Sequence, residues 1–181
     1  MRNADVVLHF WFVEHGTDDW FGGKPEFDAA LKAAFAQTHP HVALGEAWQW
    51  REAPEGRLAE VIVLDQFSRQ LHRGEADAFA QDKMALALAQ EAIAAGADQA
   101  VEPVRRPFFY LPFMHAESLV IQDEGVRLYT ALGDADQLDF MQKHRAVIAR
   151  FGRFPFRNEA LGRESTPEEL AYMEEQGDRS F

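Results

Sequence analysis

Asp65 and Arg69 stand four residues apart, the order and spacing at which a carboxylate and a guanidinium pair on one helical face. Both are in register with Leu58 and Ile62, which sets charge against the core. Buried charges are costly unless paired, so the two either fix a helix in place or serve a cavity that needs them. His115 and Glu117 are two apart, so on a regular helix they face nearly opposite sides and cannot share a metal ion unless Pro112 distorts the helix start. His144 lies on an apolar stripe with Met141 and Ile148. A histidine so placed is either a core residue with one hydrogen bond or a general base. The catalytic candidates are therefore His115, Glu117, Asp65 and His144. His9 reads as a wedge between the first helix and its neighbour.

A second concentration of chemistry lies near the C-terminal end. The run Phe151-Gly152-Arg153-Phe154-Pro155-Phe156-Arg157-Asn158 alternates aromatic rings with guanidinium groups, a composition suited to gripping a carboxylate or another anion bidentately. The same residues also suit a clasp whose arginines pair with the chain's own acids, with Asp65 or Glu117 as the expected internal acceptor for Arg153 and Arg157. Aromatics beside arginines recur in Arg105 to Phe113, where Arg106 and Tyr110 could line a ligand cleft. The ligand-binding candidates are Arg69, Arg106, Tyr110, Arg153, Arg157 and Asn158.

Several function classes find no support. No glycine-rich phosphate loop, nucleophile elbow, HExxH or dinucleotide fingerprint is present. The chain has no cysteine, which excludes disulfides, thiolate metal sites and a cysteine nucleophile and fits a reducing compartment. Neither a metal nor a cofactor is expected. Thirty acidic against 18 basic residues give a net charge of -12, which repels nucleic acid at long range. The arginines at 145, 150, 153, 157 and 163 are a local exception. The apolar run Val6 to Val13 is too short and too poorly flanked for a signal peptide, and no stretch approaches membrane-spanning length. A cytoplasmic, soluble protein is expected, with its oligomeric state open.

These residues must be positioned by helices, since apolar residues recur at three- and four-residue spacing in nearly every segment. With 181 residues, 47% of them hydrophobic, the chain can bury a real core as a single all-helical domain over residues 1–181. Asn3 caps a first helix carrying Val6, Val7, Phe10 and Trp11, and Gly22-Gly23 ends the connection after it. Pro25 opens a helix with Phe27, Leu31, Ala34 and Phe35 in one stripe, and a stretch with Leu44, Trp48 and Trp50 follows His39-Pro40. A third helix runs from Pro54 to Gly74. An alanine-rich helix covers about 77–95, burying Phe79, Met84, Leu86 and Leu88. Three prolines then make an aromatic connector before a long helix over about 113–132, followed by another over about 134–151. Ser165-Thr166-Pro167-Glu168-Glu169 starts a short terminal helix with a hydroxyl cap and a carboxylate three residues on.

Leu8 to Phe12 (LHFWF), Trp20-Phe21, Leu64 to Arg69 (LDQFSR), Phe79-Ala80 with Asp82, Arg106 to Glu117 (RPFFYLPFMHAE) and His144 to Arg163 (HRAVIARFGRFPFRNEALGR) together resemble the bacterial domain-of-unknown-function family 924 over nearly the whole chain. The resemblance implies a fold similar to tetratricopeptide-repeat (TPR-like) proteins, a stack of antiparallel helices, and it implies no activity, substrate or cofactor. The family pattern has Ser at the position of Ala116 and His at that of Phe156, so no mechanism here can use that hydroxyl or that imidazole. The expected function is a helical binding module that takes a peptide or small anionic ligand through Arg69, Arg153 and Arg157. The alternatives are a hydrolase-like enzyme with a His/carboxylate base and arginine anion stabilisers, and a structural or assembly protein whose polar groups are internal salt bridges.

Overall fold

The structure is a computed structural model that describes residues 1–21 and 23–177. Gly22, half of the expected Gly22-Gly23 break, lies outside them. The fold is all-α, 73% helical, with no strand among the described residues. The described residues gather into two compact units: Met1–Arg73 with Asp77–Pro112, and Gly74–Ala76 with residues 113–177.

In the first unit, α1 (Ala4–His9) starts where the Asn3 side chain accepts the Val6 amide at 3.0 Å. It continues as a π-helical turn, Phe10–Glu14, that carries Trp11 inside. Trp11 stacks on Trp20, from α2 (Thr17–Trp20), with centroids 5.3 Å apart, and Phe10 meets Phe27 and Phe35. Those two phenylalanines and Leu31 form the buried stripe of α3 (Pro25–Phe35), spaced four apart so that one face turns inward. A short α4 (His39–Ala43) follows. Leu44 and Trp48 after it are largely exposed, at 76% and 60%, so that stretch does not build core as its composition suggests.

The central rod is α5 (Pro54–Ile62), a second π turn (Val63–Phe67) and α6 (Ser68–Leu71), and every residue from Leu58 to Ser68 is buried. A helix enclosed on all faces is a core helix. Packed against α5 is α7 (Asp82–Ala94), which begins later than its composition predicts because a separate 3₁₀ turn takes up Ala76–Ala78. Its buried residues are Ala85, Ala89 and Ala92, whereas Met84, Leu86 and Leu88 flank the contact. Small side chains let two helix backbones approach closely, which the longer ones would prevent. After α8 (Ala97–Ala100) comes α9 (Pro107–Met114), where an irregular aromatic connector was expected. Pro107 occupies the first helical turn, where its missing N–H costs nothing. Pro112 is the sixth residue of an eight-residue helix and forfeits one ladder bond.

The second unit is built on an antiparallel pair, α10 (Leu119–Leu132) and α11 (Ala135–Phe151), joined through Gly133 at φ 80 with Asp134 capping the Gln137 amide. The long helix expected from residue 113 is thus α9 and α10 separated by a junction at 115–118. A 3₁₀ turn, Pro155–Arg157, leads to α12 (Pro167–Gln176), whose Thr166 cap and Glu169 form the reciprocal capping box that the sequence announces.

Gly56, in the first turn of α5, shows how closely the rod is approached: a Cβ there would lie 1.9 Å from the Trp50 carbonyl oxygen. Since that neighbour is backbone and cannot rotate away, Gly56→Ala should destabilise the protein by about 2 kcal/mol or more in urea unfolding. A midpoint shift equivalent to under about 0.5 kcal/mol would show that the helix start slides freely.

Candidate functional site

The junction at 115–118 presents His115 and Glu117 outside any regular helix, so the two-residue spacing does not separate them as a helix would. One buried side chain holds this turn. The Gln122 amide, fully enclosed on α10, donates to the carbonyls of Met114 at 2.7 Å, Ala116 at 2.8 Å and Phe113 at 3.3 Å. The Met114 carbonyl lies at the end of α9, where helical donors run out, and the Ala116 carbonyl lies in the turn beyond it.

Glu117 then crosses to the segment after α11. Its carboxylate accepts the Phe154 amide at 2.7 Å and a two-pronged contact from Arg163, at 2.7 and 3.0 Å. Burial pushes the Glu117 carboxyl up, but the Arg163 and Phe154 hydrogen bonds and the charges of Arg163 and Arg157 outweigh it and hold the group below its ordinary value. Arg163 Nε also donates to Asn158 Oδ1 at 2.9 Å, and Asn158 Nδ2 donates to Ser165 Oγ and to Glu169. Glu169 receives the fork of Arg153 at 2.7 and 2.8 Å and the Thr166 amide at 2.8 Å. The Arg153 hydrogen bond is the largest influence drawing the Glu169 carboxyl down to about 2.

The clasp acceptors are therefore internal, but they are distributed differently from the expectation. Arg153 pairs with the capping-box Glu169, Glu117 is gripped by Arg163, and Arg157 lies over the Phe154 ring at 4.5 Å with its charge acting on Glu117. Asn158 is a linker inside this network. Arg145 and Arg150 pair with Asp123 and Glu168. His144, largely buried on α11, has Nδ1 2.8 Å from the Phe140 carbonyl, and its ring lies 6.4 Å from that of His115 and 5.8 Å from that of Phe154. Because a carbonyl only accepts, Nδ1 carries the hydrogen and Nε2 is the basic nitrogen. Phe156 packs toward Tyr172.

In the first unit, Arg69 reaches back to the Asp65 carbonyl at 2.5 Å and carboxylate at 3.4 Å, and forward to the Asp82 carboxylate at 3.0 and 3.1 Å, with its guanidinium over Phe79. Gln66 donates to Asp65 at 2.7 Å. The Tyr110 hydroxyl donates to buried Asp98 at 2.7 Å. Burial first, then Asp98, pushes the Tyr110 phenol up, with the Arg106 charge opposing. Among the described residues no group of three or more His, Asp or Glu is arranged to hold a metal ion.

Sequence reasoning missed an open cleft in the first unit lined by Arg2, Val6, Phe10, Glu14, Phe35 and the alanines at 30, 33 and 34. Arg2 is anchored there: its amide donates to Thr38 Oγ1 at 3.0 Å and its Nε to the Ala34 carbonyl at 2.9 Å. The available signal was the run of small residues flanking the buried stripe of α3.

Helical hairpins tied by internal polar networks place the molecule among all-α proteins without the signature of any common enzyme class. More particularly, the chain belongs to the family described as bacterial protein of unknown function (DUF924), which it matches over residues 7–177. It is similar to the solved structure of a protein of unknown function, ATU0120, from Agrobacterium tumefaciens. The two are 42% identical, with 95% of this chain and 97% of that one covered and a TM-score of 0.91. No curated protein matches the chain.

Glu169 makes the network sensitive to acid. Its carboxyl sits at about 2 against an ordinary value of 4.5, so the unfolded chain binds this proton more tightly. The stability it contributes is present above about pH 4.5 and is lost as pH falls toward 2. Glu169→Gln should flatten that part of the unfolding-midpoint profile. A profile between pH 4.5 and 2 identical to the parent's would remove Glu169 from the account.

Proposed function

We propose that the protein is a helical binding module whose ligand is a peptide segment held in the cleft beside α1 and α3. One observation carries the reading: the cleft is lined by the small side chains of three alanines and by the buried rings of Phe10 and Phe35, and carries a guanidinium, Arg2, and a carboxylate, Glu14. Alanines at 30, 33 and 34 leave the helix surface low enough for another backbone or an apolar side chain to approach. Arg2 Nε is spent on Ala34, but among the described residues its two terminal nitrogens make no hydrogen bond, which suits them to a carboxylate of the bound segment. The antiparallel α10–α11 hairpin supports the TPR-like reading, in which grooves along paired helices receive peptides. The paired arginines of the second unit favour a scaffolding role for the clasp over anion capture. No helix of the described residues is long and apolar enough to cross a membrane. With no cysteine to oxidise, we place the module's work in the cytosol.

A phage-displayed random-peptide library tests the cleft. Peptides selected on the parent protein should lose at least about tenfold in affinity, ~1.4 kcal/mol, on Ala33→Trp, which fills the cleft, and on Glu14→Lys, which reverses one charge. Selected peptides that bind both variants as tightly as the parent would move the site elsewhere.

A second reading is favoured by the second unit: the Phe140 carbonyl fixes the His144 tautomer, and the His144 ring lies 6.4 Å from that of His115 and 5.8 Å from that of Phe154, whose amide Glu117 accepts. A neutral imidazole with one nitrogen committed as donor is the protonation state a general base in a hydrolase requires. Turnover of fluorogenic ester, amide or phosphate substrates by the parent should disappear in His144→Gln. Turnover that survives the substitution excludes His144 as the base.

A further inference from the structure

We propose that His39, Ser68 and His72 form a proton-operated latch on the first unit's cleft: protonation of His39 frees the start of α4 and, through Thr38, the Arg2 arm that lines the cleft. The coupling to ligand rests on the cleft being the binding site; the latch itself does not.

Hydrogen-bond direction fixes the resting state. Ser68 Oγ lies 2.6 Å from the Leu64 carbonyl, which only accepts, so the hydroxyl proton is committed to that carbonyl. His39 Nε2 lies 2.8 Å from the same Oγ and must therefore be the donor. The arrangement superficially matches a Ser-His catalytic pair, yet the hydroxyl points its proton at the backbone and Ser68 is fully enclosed, so it is no nucleophile. With Nε2–H already in use, any further proton goes to Nδ1 and makes His39 an imidazolium.

The surroundings resist that charge. His39 is 7% exposed, and the His72 ring lies 5.5 Å away at 57°. The titratable groups bearing on the ring are His72 and Asp77. Burial, then His72, hold the His39 imidazole below its ordinary value, with Asp77 pulling the other way. A folded-state value below that of the unfolded chain means that the contact is fully stable above about pH 6.5 and weakens as pH falls through the lowered value.

The mechanical link is short. Thr38, immediately before His39, is 2% exposed, and its Oγ1 holds the Arg2 amide at 3.0 Å. Arg2 Nε in turn holds the Ala34 carbonyl at the cleft wall. A shift of the 38–39 backbone that relieves a buried imidazolium withdraws the hydroxyl from Arg2.

Histidine ring titration by NMR and amide hydrogen exchange on the full chain test the latch. His39 should titrate below the reference imidazole, and His72→Asn should raise its midpoint by removing the neighbouring ring. After correction for intrinsic exchange, protection at Arg2 and at Val42, whose amide donates to the Thr38 carbonyl, should fall between pH 7.5 and pH 5.5 in the parent, with a one-proton ceiling of about tenfold. It should stay constant in His39→Gln, whose amide can still donate to Ser68 Oγ but does not titrate. A His39 midpoint at or above the reference, or one unmoved by His72→Asn, overturns the latch, as does an equal loss of protection in His39→Gln. Library-selected peptides should weaken at pH 5.5 on the parent and not on His39→Gln. If exchange loosens while peptide affinity holds, the latch is not coupled to the cleft.

Discussion

The second unit depends on one carboxylate. Glu117 sits in a turn that has left α9 and has not yet entered α10, so its backbone has no helical ladder of its own; Gln122 ties the turn to α10, and Glu117 ties it to the segment beyond α11. Removing the carboxylate would strand the Phe154 amide and the Arg163 fork together, and unsatisfied groups in such surroundings cost more than the bonds were worth in water. From Arg163 the same connectivity passes through Asn158 to Glu169, Arg153 and the Thr166 cap. The start of α12 is thereby coupled to a turn about fifty residues earlier by charge-assisted hydrogen bonds.

This arrangement explains an arginine-rich stretch in a strongly acidic protein. Arg145 and Arg150 make half-exposed pairs with Asp123 and Glu168, and such pairs contribute little. Arg153 and Arg163 are different, because each grips a carboxylate through two nitrogens and the acceptor is enclosed or partly so. A planar fork fixes direction as well as distance. The stretch therefore works as a set of directional ties, and its positive charge is spent locally.

Helix starts and stops were legible because their chemistry is local. Asn3, Pro25, Asp134 and the Thr166-Glu169 box each act within four residues, and each does so here. The boundary between α9 and α10 was not legible: proline rules place the break at Pro112, whereas it falls after Met114, where a glutamine eight residues further on supplies the missing donors. The partner of Arg153 was equally hidden, since sequence spacing cannot tell Glu169 from Glu117 once the chain has turned. In α7 composition points to Met84, Leu86 and Leu88 as the buried residues, whereas the alanines make the contact, and in α3 a small side chain gives no signal of what its low surface admits.

The run Leu64-Asp65-Gln66-Phe67-Ser68-Arg69 shows why polar residues in a core need not mark a reaction. From Val63 to Ser68 every side chain is buried, so no solvent-facing side remains on which a hydrophilic group could rest. A π turn at this point adds a residue to the helical circuit and rotates the next turn of the rod, which brings Asp65, Gln66 and Ser68 all inside. Each then needs a partner within reach, and the sequence supplies several at short range: Gln66 and Arg69 for Asp65, and the Leu64 carbonyl for Ser68. His39 comes from α4, 29 residues earlier, to join this set. Its neutral ring fits this enclosed place, since Nε2–H meets the Ser68 oxygen, whereas burial disfavours a second proton on Nδ1.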